Sequence, residues 1–146
     1  KKVDEYLQGQ YEKALPNLTI NIKAVPFNSR LSASESGDFD AVLGGWTPVY
    51  ADPTDFLNLF VTGNSNNFGS YTNAQYDKDI HDANVTNAQN VSKRWSNLQD
   101  ANKIVTKTAA MTPLYFLSEN YLISSHLEGL MMGPLGQPYF KDVYWK

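Results

Sequence analysis

Apolar positions recur along this chain with two periods, and each change of period predicts a change of element. Val3, Tyr6, Leu7, Tyr11, Ala14 and Leu15 fall on one helical face, which Pro16-Asn17 ends. Leu18 to Val25, LTINIKAV, then alternates with period two, and its Ile, Thr and Val content suits a strand. Residues 27 to 36 are short, polar and serine-rich and predict a helical turn. Phe39 to Trp46 is an apolar run after Gly37-Asp38, the pattern of a strand covered on both faces.

A helix is expected after Asp52. Asp52 suits its N-cap, Pro53 the first turn, and Asp55 the positive end of the helix dipole. Residues 62 to 73, TGNSNNFGSYTN, predict a loop, and Ala74 to Ala83 a short helix. The longest helix is predicted over 88 to 110. Val91, Trp95, Leu98, Ala101, Val105 and Ala109 form its apolar stripe, with Lys93, Arg94, Lys103 and Lys107 mostly on other faces. Thr112-Pro113 stops it. Leu114 to Phe116 and Tyr121 to Ile123 are short strand candidates, and beyond Gly129 only Asp142 to Trp145 looks regular. Strands alternate with helices, so the fold class is α/β.

Composition narrows the function. The chain has 146 residues, enough for one ordinary domain with a core, and a hydrophobic content of 42% suits a globular protein. The net charge is −3 and no basic run occurs, so nucleic acid is excluded as a partner. No cysteine is present, which rules out disulfides and thiolate chemistry. No apolar run reaches the ~20 residues that span a bilayer.

Catalytic patterns are missing: there is no GxSxG elbow, phosphate loop or HExxH spacing, and His81 and His126 lie far apart. No catalytic residue, metal ligand or cofactor is expected. Carboxylates come close together at Asp38/Asp40 and at Asp52/Asp55, as a glycosidase-like pair would need, and turn or capping roles explain these four more cheaply. The stretch GGWTPVYADPTDFLNLF, residues 44 to 60, is different. Trp46 and Tyr50 give the turn between strand and helix more aromatic surface than a connection needs. Trp46 is either a core residue at a strand end or, beside Gly44-Gly45, part of a surface that takes an extended peptide.

EYLQGQYEKALPNLTINIKAVPFNSRL followed by GDFDAVLGGWTPVYADPTDFLNLF resembles the C-terminal half of extracellular oligopeptide-binding proteins of ABC importers, of the dipeptide/oligopeptide/nickel type. The likeness continues through GSYTNAQYDKDI, Lys93-Arg94-Trp95, TPLYF and the tail, and so covers the whole chain. It implies a type II periplasmic-binding-protein-like lobe, a mixed sheet flanked by helices, incomplete because it is one lobe of two. Residues 1–117 would belong to the second lobe, and 118–146 to a tail that returns to the missing N-terminal lobe. The implied partners are an oligopeptide and a membrane ABC permease. The implied place is the outer face of the membrane, lipid-anchored through a missing N-terminus, or the periplasm.

The resemblance also implies a ligand-binding segment of Gly45, Trp46, Thr47, Val49 and Tyr50, with Trp46 lining a side-chain pocket. Many members of the family have W-x-x-D-Y here, where the aspartate pairs with the peptide's free α-amino group. This chain has Val49 at that position. The expected function is peptide capture without catalysis; a signalling-peptide receptor on the same scaffold is the alternative, and a glycoside hydrolase is weaker.

Overall fold

The computed structural model describes residues 2–146, in two compact units, the first ending at Gly45 and the second spanning Trp46–Lys146. The first holds α1 (Lys2–Ala14) and α2 (Phe27–Ser36). The α1 face predicted from periodicity forms a helix but buries none of its residues. Its inner contacts are polar: Gln8 Nε2 donates to the Ile20 carbonyl at 2.7 Å, and Glu12 Oε1 accepts from the Ile20 N–H at 2.8 Å. The serine-rich stretch makes a ten-residue helix rather than a single turn. Gly37 closes α2 at φ 74°, a left-handed conformation that glycine adopts without a Cβ clash, and its N–H bonds the Ala33 and Ser34 carbonyls.

The segments 18–25 and 39–46 carry no ladder, and neither do 114–116 and 121–123. The reason is pairing. A period-two segment becomes a strand only when a neighbouring backbone takes its N–H and C=O groups, and among the described residues none forms a ladder with these segments. Among the described residues, ladders form only near the C-terminus, in two antiparallel pairs. One joins β1 (Leu127–Glu128) to β4 (Tyr144–Trp145), the other β2 (Met131–Met132) to β3 (Pro138–Tyr139). Within the described residues the sheet component is therefore these two small ribbons, beside helices.

The core lies in the second unit. It is built by α3 (Thr54–Leu57) with the 3-10 turn Asn58–Phe60, α4 (Ala74–His81) with the π turn Asp82–Thr86, and α5 (Val91–Lys107). Asn73 caps α4, accepting from the Gln75 and Tyr76 N–H groups, and Asn90 caps α5, accepting from that of Lys93. Leu57, Tyr76, Ile80, Ala83, Leu98, Ala101 and Val105 are buried together. The Tyr76 hydroxyl donates to the Leu57 carbonyl, so the largest buried side chain leaves no polar atom unpaired.

The buried face of α5 differs from the apolar stripe predicted for it. Arg94, Asn97, Leu98, Ala101, Ile104 and Val105 face inward, whereas Val91 is 83% and Trp95 51% exposed. From Leu98 the inner face continues four residues back, at Arg94, and not three back, at Trp95. Ala109 lies beyond the helix at φ 55°. Among the described residues, no helix is long and apolar enough to cross a membrane.

Candidate functional site

The aromatic turn at the start of the second unit is held by the two aspartates that follow it. The N-cap position of α3 is Pro53 rather than Asp52, but Asp52 one residue earlier holds the start of the helix: Oδ1 accepts from the Thr54 N–H at 2.9 Å and from the Thr54 hydroxyl at 2.7 Å. The same oxygen accepts from Arg94 Nη2 at 2.9 Å. This ties α3 to α5 through a half-buried ion pair whose side chains are 25% and 28% exposed. The hydrogen bond from Arg94, followed by those from Thr54, outweighs desolvation and holds the Asp52 carboxyl down at about 2. A carboxyl that acidic has no proton to donate at neutral pH, so Asp52 is unsuited to a general-acid role.

The sign of the linkage follows from that depression. Asp52 stabilises the fold fully above its unfolded value near 3.8, and the contribution is lost as pH falls toward about 2. With the pair partly solvated, Arg94→Ala is expected to cost about 1 kcal/mol at neutral pH. The gap to the parent protein should narrow between pH 4 and pH 2 in thermal unfolding scans. A gap independent of pH would mean that Arg94 acts by packing alone.

Asp55 does something its sequence position did not reveal. Rather than merely complementing the helix dipole, its buried carboxylate reaches back across the turn. Oδ2 accepts from Trp46 Nε1 at 2.9 Å and from the Val49 N–H at 3.1 Å. Tyr50 joins the same anchor, its hydroxyl 3.3 Å from Thr54 Oγ1. From the far end of the chain, Gln137 Nε2 donates to the Pro48 carbonyl at 3.3 Å. In WTPVYADPTD Asp55 stands nine residues after Trp46, a spacing too loose to assign it that partner.

Trp46, Val49 and Tyr50 are brought together on this anchor and remain 41%, 77% and 45% exposed, and Thr47 is exposed beside them. The ring of Trp46 is thus not sealed into the core. Gly45 ends the first unit, exposed, with open space where a Cβ would stand. The other carboxylates weighed for catalysis stand apart in role: Asp38 pairs with Lys23 at 3.1 Å on the surface. Among the described residues, no three His, Cys, Asp or Glu side chains cluster to hold a metal.

No protein-family model matches the chain. A dipeptide-binding protein of Lactococcus lactis is 34% identical over 97% of the chain, which spans 26% of that relative's length. The peptide-bound OppA of Listeria monocytogenes superposes with TM-score 0.82 at 37% identity, over 99% of this chain and 27% of that one. The peptide-binding pheromone receptor PrgZ gives TM-score 0.86 at 30% identity, over 100% of this chain and 28% of that one. The chain therefore spans about a quarter of the length of these three proteins.

Proposed function

We propose, for a chain that belongs to the dipeptide- and oligopeptide-binding proteins of ABC importers, that the intact protein captures oligopeptides outside the membrane and delivers them to an ABC permease. The observation that carries this reading is the turn at Trp46. An indole and a phenol stand on the surface, anchored from below by buried polar groups, which is how a rigid apolar contact for a ligand is built. In this reading Gly45, Trp46, Thr47, Val49 and Tyr50 line the peptide, residues 1–117 belong to the second of two lobes, and 118–146 return to the first. The protein is a receptor, not an enzyme, and works at the outer face of the membrane, lipid-anchored, or in the periplasm. Relatives named as periplasmic binding proteins support that location.

Val49 defines a specificity within this function. Its side chain offers no charge, and its N–H is already given to Asp55. A relative with aspartate there would lose on the order of 2–5 kcal/mol if its peptide's ammonium were left unpaired. The present protein has no such pair to lose at this spot. Affinity of the intact protein for a panel of synthetic di- to octapeptides, measured by calorimetry, tests both points. Binding in the panel is expected, and N-terminal acetylation should change the affinity by less than about threefold. Failure to bind any member overturns the transport reading; a loss above about thirtyfold on acetylation overturns the role given to Val49. Val49, together with the likeness to PrgZ, favours as second reading a receptor for signalling peptides. Marked preference for one peptide sequence over the rest of the panel would select it.

A further inference from the structure

We propose that Asp55 is the positioning residue of the aromatic turn, and that it makes the face Trp46 offers a ligand an apolar one by turning the indole N–H and the Val49 N–H inward. This rests on the peptide-binding reading above. Asp55 is 7% exposed, yet both of its partners sit on exposed residues, Trp46 at 41% and Val49 at 77%. One oxygen, Oδ2, accepts the indole N–H at 2.9 Å and the Val49 N–H at 3.1 Å. The two donors lie on either side of Pro48, a residue with no N–H of its own. A single buried oxygen thus fixes both sides of the turn.

Two consequences follow. Indole has one hydrogen-bonding atom. With Nε1 turned inward, what Trp46 offers outward is ring surface, which suits an aliphatic, aromatic or cationic side chain and not a group seeking a donor. The Val49 N–H, equally occupied, is unavailable to a peptide carbonyl, so main-chain pairing with a ligand must use other groups. The anchor is itself held: Asp52, three residues earlier, bonds Arg94 on α5 at 2.9 Å.

The test uses Asp55→Leu, which deletes the acceptor, and Asp55→Asn, which keeps an oxygen of lower charge. Trp-selective 15N TROSY spectra of the intact protein report the indole N–H groups, and Trp46→Phe identifies the signal of Trp46 by its disappearance. In Asp55→Leu that signal should move upfield and its solvent exchange should quicken about tenfold or more, with Asp55→Asn between it and the parent. Affinity for the panel peptide that the parent binds best should fall in the same order, by about tenfold or more in Asp55→Leu. Should Asp55→Leu fail to fold, Asp55→Asn alone decides through its indole shift. An indole signal unmoved in a folded variant overturns the proposal. So does an affinity unchanged while the indole moves. A parent protein that binds no peptide while the indole responds to Asp55 would overturn the function and, with it, this proposal's ligand half, but not the geometry of the anchor.

Discussion

Trp46→Ala should weaken peptide binding by the intact protein about thirtyfold or more. A tryptophan side chain buries up to about 250 Å² when fully covered, so an indole 41% exposed leaves on the order of 100 Å² for a ligand. At about 25 cal/mol per Å² that surface is worth roughly 2.5 kcal/mol, or between ten- and a hundredfold in affinity. Trp46→Phe should retain part of this, because the proposed contact is ring surface and the lost N–H points away from the ligand. Calorimetric titration with the best-bound panel peptide checks the size. A change below about threefold in Trp46→Ala, in a protein of parental thermal stability, would mean that the turn faces something other than the peptide.

Leu98→Ala is expected to have the largest effect on stability. Leu98 is 2% exposed and packs with Ala101, Val105, Tyr76, Ile80 and Leu57, where α5 meets α4. Deleting a buried leucine costs about 2–5 kcal/mol, since the cavity left behind adds to the lost transfer free energy. In a domain with typically 5–15 kcal/mol in hand, this should lower the melting temperature by about 10 °C. Val91→Ala on the same helix, at a position 83% exposed, should fall within about 0.5 kcal/mol of the parent. Comparable losses from the two would place the buried face of α5 along the predicted stripe after all. Thermal unfolding by circular dichroism distinguishes the outcomes.

The contrast between Leu98 and Val91 shows where periodicity stops being informative. The stretch 91–107 was legible as a helix, and Leu98, Ala101 and Val105 as its inner face, because i, i+3 and i+7 spacing leaves no other arrangement. Arg94 was misplaced because a charged residue reads as solvent-facing until its partner is known. Asp52, which makes Arg94 an inward residue, is 42 positions away. Asp55 was misjudged in the same way: as a helix-start aspartate its role looked local, and the indole that occupies it lies nine residues back. The strands at 18–25 and 39–46 failed for a third reason, since alternation records a tendency to pair and says nothing of whether a neighbour is present.

By itself the sequence determined what is local: the helices, and a composition unsuited to nucleic acid or thiol chemistry. It also placed an aromatic pair on the turn before a helix, leaving its exposure open, together with the motifs that resemble the peptide-binding family. Only the tertiary structure decided which polar groups meet. The pairing of Arg94 with Asp52 and the bond from Gln137 to Pro48 join positions far apart in the chain, and the grip of Asp55 on Trp46 and Val49 closes back over a turn. Such contacts depend on the distance and direction between side chains, which hydrophobic periodicity does not encode. Burial and helix spacing are set residue by residue, whereas a hydrogen bond exists only once both partners have been carried to the same place.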